Sequence, residues 1–171
     1  MKSLCIALLS VLMVLTTVAL PKSDSTVPQS DAQKSFEKLK ALVGSWQSDD
    51  PKRAFHVTFR VTSNGSAIMS EMDAPPDDMI TMFHLDGDRL MVTHYCAAGN
   101  QPRMIGKMSP DGKTLEFDYL DATNLNNVQD GHMHRLVITM IDENHHSEDL
   151  IFHTKDGKKE IPVHFNMHRG Q

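Results

Sequence analysis

The sequence predicts an all-β protein, an up-and-down antiparallel closed barrel of about ten strands preceded by one short α-helix. Apolar side chains recur with period two after residue 44, turn-forming residues separate these segments, and a single segment has helical periodicity. Ten short strands with almost no helix must close or pack in two layers, because an open sheet leaves its edge strands unpaired. The connections between strands are mostly tight and long in alternation, which favours a closed meander.

The composition is that of one ordinary globular domain. The chain has 171 residues, of which 40% are hydrophobic and 23% charged, enough for one core and not for two. A formal net charge of −5 argues against a nucleic-acid partner, because nucleic-acid binders carry clustered positive charge. Ten histidines and two cysteines raise the questions of metal binding and of a disulfide.

Residues 1–19 have the features of a secretory signal peptide. An apolar run extends from Leu4 to Leu20, and Thr17 and Ala19 have the spacing of small residues that a signal peptidase recognises. The alternative is an uncleaved membrane anchor, because the run is near the lower limit for a spanning helix. Cleavage predicts a secreted or periplasmic protein without stable membrane insertion. It leaves Cys96 as the one cysteine, so no internal disulfide forms.

The expected domain is a single β-barrel over residues 31–171, after a flexible leader over residues 20–30. Ser30 and Gln33 fit a capping box at the start of a helix, and Gly44 is placed to end it. The apolar residues of this segment share one face, as expected for a helix that packs on the barrel: Phe36, Leu39, Leu42 and Val43.

Nine alternating strands follow a short first strand at Trp46. Their expected ranges are 55–62, 66–73, 78–85, 89–96, 103–109, 114–120, 132–141, 146–154 and 159–168. The connections that leave even-numbered strands are tight, whereas several that leave odd-numbered strands are long. Alternate connections of an antiparallel meander lie at the same end. The predicted barrel therefore has one end closed by hairpins and one open mouth surrounded by polar loops.

Several segments resemble known barrel proteins. Residues 42–46, Leu-Val-Gly-Ser-Trp, resemble the helix and Gly-x-Trp pattern of lipocalins and fatty-acid-binding proteins, the calycins. Residues 94–96 (His-Tyr-Cys), 99–104 (Gly-Asn-Gln-Pro-Arg-Met) and 132–134 (His-Met-His) are similar to an uncharacterised family of secreted bacterial lipocalin-like proteins. The resemblance covers about residues 32–169. It implies a closed barrel with an interior cavity, and it implies no particular ligand.

The two-residue period of the strands places most histidines on the outer face or at turns, where a solvated side chain is the ordinary explanation. His153 is ambiguous by this criterion. The histidines expected at the surface are His56, His84, His145, His146, His164 and His168.

Two polar residues of the fifth strand are expected to face the interior. His94 and Cys96 have the same parity as Leu90 and Val92, which are expected to face the core. They lie at the end of an odd-numbered strand and therefore at the mouth.

Two histidines of the eighth strand are expected at the same end. His132 and His134 have the parity of Leu136 and Ile138, and they begin an even-numbered strand. An error of one in the strand count would place them at the opposite end from the fifth-strand pair.

These four residues are a candidate zinc site. His94, Cys96, His132 and His134 supply the nitrogen and sulfur ligands that tetrahedral Zn²⁺ prefers. The alternative is a hydrogen-bonded polar cluster at the mouth without a metal. The sequence leaves the cofactor unknown, and zinc is the candidate that this pattern favours.

Loop residues at the same end extend the candidate ligand site. Asn100, Gln101 and Arg103 follow the fifth strand, and Asn124 follows the seventh. Amides, a guanidinium and imidazoles around an apolar barrel predict a pocket for a small molecule with an apolar body and a polar or anionic head. The alternative is that the amides bind loop backbone and that Arg103 is a solvated edge residue.

Three functions follow. The favoured one is a non-enzymatic barrel that binds a small, partly hydrophobic ligand, and the alternative is a protein that binds a transition metal or a metal cofactor. An enzyme with Cys96 as nucleophile and His94 as base is disfavoured, because residues two apart on a strand are about 6–7 Å apart at Cα. No catalytic residue is therefore assigned.

Overall fold

The structure, a computed structural model, describes residues 28–126, 131–156 and 158–170. The expected signal peptide and most of the expected leader lie outside the described residues. The chain begins with α1 (Asp31–Leu39) and a 3₁₀ turn (Lys40–Leu42). The strands are β1 (Gly44–Ser48), β2 (His56–Thr62), β3 (Ala67–Asp73), β4 (Met79–Asp86), β5 (Arg89–Tyr95), β6 (Gln101–Met108), β7 (Thr114–Thr123), β8 (His132–Met140), β9 (His145–His153) and β10 (Glu160–Arg169).

The ten strands form one closed antiparallel barrel. Each strand pairs with its neighbours in the chain, and β1 also pairs with β10, so that Trp46 is opposite Arg169. Closure leaves no strand edge unpaired. The expectation of a closed up-and-down barrel of about ten strands after one short helix is confirmed.

The helix begins at the capping box that the sequence predicts. The backbone N–H of Gln33 donates to the hydroxyl of Ser30 at 3.2 Å, and the backbone N–H of Ser30 donates to the side chain of Gln33 at 2.8 Å. Phe36 and Leu39 are buried on the face that packs against the barrel. Within the described residues, no helix combines the length and the apolar character needed to cross a membrane.

The packed part of the core lies toward the hairpin end. Leu90 and Val92 of β5 are fully buried, as their parity predicts. Phe83 contacts Phe117 edge-to-face at 5.5 Å between ring centroids, and it stacks with Phe59 at 6.4 Å. These side chains fill the barrel near the hairpin end. Any cavity must therefore lie nearer the opposite end, toward the long connections.

Two β-bulges interrupt the regular pairing. The register of β6 with β7 shifts between Arg103 and Met104, and that of β8 with β9 shifts between Met133 and Arg135. A bulge adds one residue to one strand and locally disrupts the alternation of side chains. The second bulge decides where two of the predicted site residues lie.

Candidate functional site

A cavity of about 580 Å³ opens at the mouth of the barrel. Lys52, Arg53 and Asp77 lie at its rim, on the long connections that leave β1 and β3. Small-molecule sites in proteins typically have volumes of roughly 300–1,000 Å³ and mainly apolar walls. The apolar wall consists mostly of Phe55, Phe59, Met72, Phe83, Met133, Leu136, Ile138, Leu150, Phe152, Val163 and Phe165.

His94 and Cys96 line this cavity, as their parity predicts. The imidazole of His94 is only 5% exposed, and its Nδ1 is hydrogen-bonded with the hydroxyl of Thr81 at 2.9 Å. Burial lowers the pKa of His94 to about 4, so the ring is neutral at physiological pH. A neutral imidazole has one donor and one acceptor nitrogen, and Thr81 engages only one of the two.

The thiol of Cys96 is not arranged as a nucleophile. Burial raises its pKa and outweighs a backbone hydrogen bond from Ala98 that lowers it, and the nearby carboxylate of Asp77 also raises it, so the thiolate fraction at neutral pH is small. The imidazole of His94 bonds to Thr81 through Nδ1, and among the described residues it makes no hydrogen bond to the thiol. Among the described residues, the geometry therefore contains no activated Cys–His pair.

Glu148 in the cavity wall and the buried His146 form an acid–imidazole pair that the sequence did not predict. Glu148 lines the cavity and is hydrogen-bonded to Nε2 of His146 at 3.1 Å. His146 is fully buried and packs edge-on against Trp46, at 4.3 Å between ring centroids. The expectation that His146 is at the surface is wrong. His146 belongs to β9 and not to the turn before it, and it shares the inward face of that strand with Leu150. That shared parity is the signal that could have revealed it.

The alternation that placed His132 and His134 inside the barrel is broken by the bulge in β8. The pairing with β9 shifts between Met133 and Arg135. Met133 therefore lines the cavity, with Phe152 opposite it on β9. His132 and His134 were expected to face the interior with His94 and Cys96; His132 is buried, but neither histidine lines the cavity, because one extra residue changes the alternation of side chains in this part of β8.

His132, His134 and His153 form a histidine cluster on the outer side of this wall. His132 pairs with His153 across β8 and β9, next to the pair that lines the cavity. The ring of His134 stacks on that of His153 at 3.7 Å between centroids, and Tyr119 packs against His132 and His134 at 4.8 Å. One potential ligand atom from each histidine lies within 4.8 Å of the other two.

The four predicted zinc ligands are thus divided between two places. His94 and Cys96 line the cavity, whereas His132 and His134 belong to the histidine cluster with His153. No spacing in the sequence indicates that His153 completes this group, because its contact with β8 depends on strand register.

The loop amides mainly hold the connections together. Asn100 is buried and donates from Nδ2 to the carbonyl of Gly131 at 2.8 Å. Asn124 donates to the carbonyl of Gly99, and Gln101 contacts the same carbonyl at 3.4 Å. These three residues do not line the cavity. Their contacts correspond to the alternative in which amides bind loop backbone.

Arg103 points away from the cavity. Its guanidinium pairs with the carboxylate of Asp121, with Nε donating at 2.6 Å. The two groups are about half exposed, so this is a surface ion pair on the outer face of β6 and β7. The structure therefore places Arg103 at a solvated edge.

Neither a protein-family model nor a curated protein matches the sequence. Among solved structures, the fold is similar to a protein of unknown function from the DUF3598 family of Nostoc punctiforme, with a TM-score of 0.56 and 10% identity. That match covers 77% of this chain and 48% of the Nostoc protein, so this chain spans about half of its length. It is also similar to Rv2717c from M. tuberculosis, with a TM-score of 0.51, 16% identity, and coverage of 80% and 98%. At these identities the similarity is one of barrel fold alone.

Proposed function

We propose that the protein binds a small, partly hydrophobic molecule inside the barrel. The observation that carries this proposal is the cavity of about 580 Å³, with its apolar wall and a few polar groups near the mouth. Transfer of apolar ligand surface from water into such a cavity is favourable by about 25 cal/mol per Å². The polar groups then orient the ligand rather than supply most of its affinity.

The polar end of the ligand is proposed to lie toward the mouth. Neutral His94 offers a nitrogen to the cavity, and at the rim Lys52 and Arg53 outnumber Asp77. The other acidic residue of the lining, Glu148, is hydrogen-bonded to His146. A hydroxyl or carboxylate head in this position gains a hydrogen bond and a favourable potential. The apolar cavity wall deeper in the barrel, which includes Phe165, suits the apolar body of the ligand.

We also propose that this binding takes place outside the cytoplasm, in a secreted or periplasmic location. The support is the signal-peptide pattern of residues 1–19, with an apolar run followed by small residues at the peptidase spacing. The proposal involves a small-molecule partner and no nucleic acid, in keeping with the net charge of −5.

Displacement of a polarity-sensitive fluorescent dye tests the cavity. We expect the dye to bind the wild type and Leu150→Trp to weaken binding by roughly tenfold or more, because the indole occupies space within the cavity. The matched control is Ile151→Trp, since Ile151 is the next residue on β9 and does not line the cavity. Equal dye binding by Leu150→Trp and the wild type would contradict the proposal.

The head-group preference is tested by competition. A medium-chain fatty acid and the alcohol of the same length are compared as competitors for the dye. We expect the acid to compete better, and we expect Arg53→Ala to reduce this difference while the alcohol is unaffected. An acid and an alcohol that compete equally would rule out an anionic head group while leaving the apolar site itself intact.

A further inference from the structure

The histidine cluster has the ligand geometry of a metal site. Nε2 of His132 lies 3.3 Å from Nδ1 of His134. Two imidazole nitrogens bound to one tetrahedral Zn²⁺ at about 2.0–2.1 Å are about 3.4 Å apart. All three histidines have ligand atoms within 4.8 Å of one another, so coordination requires a contraction of at most about 1.4 Å, which is on the scale of small side-chain rotations.

The third histidine is held by a carboxylate. Nε2 of His153 is hydrogen-bonded to Glu160 at 3.2 Å, which leaves Nδ1 as the nitrogen available for coordination. A carboxylate that accepts the outer N–H of a ligating histidine orients the ring and raises its basicity.

Neighbouring rings hold the side chain of His134 in place. Its imidazole is stacked on that of His153, with 15° between the ring planes. Tyr119 is stacked against His134, with 21° between the ring planes, which limits the orientations available to that ring.

From this geometry we propose that His132, His134 and His153 bind one divalent transition-metal ion, with Zn²⁺ the best fit, on the outer side of the barrel wall. Three nitrogen ligands leave one tetrahedral position for water or an external ligand. The site is distinct from the cavity, because His94 and Cys96 are on the inner side of the wall. The proposal is independent of ligand binding inside the barrel.

Calorimetric titration of the chelator-stripped, purified protein with Zn²⁺ tests the site. We expect one ion per chain, and we expect His134→Ala and His153→Ala each to weaken binding roughly tenfold or more, because each removes a ligand. Glu160→Gln is expected to weaken binding by about tenfold through the orientation of His153. The matched control is His164→Ala, because His164 is an exposed histidine paired with Asp149 and outside the cluster.

Cobalt substitution separates this site from one that uses the cavity thiol. We expect intense visible bands of four-coordinate Co²⁺ without a thiolate charge-transfer band, and Cys96→Ser should leave the spectrum unchanged. The proposal is overturned if the wild type binds no metal, or if His153→Ala binds it as tightly as the wild type. It is also overturned if binding is lost in Cys96→Ser. Far-ultraviolet circular dichroism checks that each variant is folded. If an alanine variant is unfolded, His134→Gln is used in its place to remove a ligand.

Discussion

At the scale of single residues, the surroundings of each histidine decide its chemistry. Burial in the cavity wall lowers the pKa of His94 to about 4. A hydrogen bond to Asp149 instead raises the pKa of His164, which is exposed. Partial burial and two neighbouring imidazoles lower the pKa of His134. One residue type thus supplies a neutral polar group in the cavity, a surface group whose charged form is favoured by a carboxylate, and a candidate metal ligand.

The depressed pKa of His94 predicts a loss of stability in mild acid. As pH falls below the unfolded value of 6.5, the unfolded chain takes up this proton while the folded chain does not until about pH 4. Between pH 7 and 5 the wild type should therefore lose about 2 kcal/mol more unfolding free energy than His94→Gln. Urea unfolding of both proteins at the two pH values measures the difference. Identical pH dependence in the two proteins would show that His94 is not buried in its neutral form.

At the scale of elements, the barrel wall has positions where side-chain volume is strictly limited. A Cβ added at Gly106 on β6 would lie 2.4 Å from the ring of Phe117 and 3.1 Å from Leu90. Both neighbours are fully buried core residues and have little room to move. The glycine therefore permits the close approach of β6 to the core.

We expect Gly106→Ala to destabilise the protein by about 1–3 kcal/mol, because the methyl group overpacks the core. Lys107→Ala is the control, since Lys107 is the next residue on β6 and its side chain is exposed. Chemical denaturation of the two variants provides the comparison. If Gly106→Ala is as stable as Lys107→Ala, the core near Phe117 is more compliant than the contact distances indicate.

The positions of the strands were largely predictable from the sequence. The side of the barrel wall to which each side chain points was not always predictable. β5 was expected at residues 89–96 and spans Arg89–Tyr95, because its apolar period is regular. β8 was expected at residues 132–141 and spans His132–Met140, yet its first residues face the opposite way. A bulge changes the face and not the extent of a strand, so periodicity alone does not reveal it.

At the scale of the whole molecule, Arg169 ties together the two ends of the described chain. Its guanidinium lies 4.3 Å from the ring of Trp46 and donates to the carbonyls of Val43, Ala41 and Glu143. These contacts connect β10 to the turn that precedes β1 and to the connection between β8 and β9. Gly44 has a φ of +129°, and a Cβ there would lie 2.7 Å from this guanidinium. A glycine is therefore required for the closure.

We expect Arg169→Lys to destabilise the barrel by about 2 kcal/mol, because one ammonium group cannot serve three carbonyls and cover the indole face as well. Thermal unfolding measures the loss. The control is Arg103→Lys, in which a half-exposed surface ion pair is altered. If the two substitutions have equal effects, Arg169 contributes no more to closure than a surface charge does.

The sequence by itself determined the helix, its cap, the number of strands, the closed barrel and the inward direction of His94 and Cys96. These features follow from local periodicity and turn chemistry, which are properties of neighbouring residues. Only the tertiary structure decided that His132 and His134 meet His153 and that Glu148 meets His146 in the cavity wall. The first of these depends on one extra residue in β8 and on the register between strands, which no local pattern encodes. The cavity volume also depends on how side chains from all the strands fill the closed barrel.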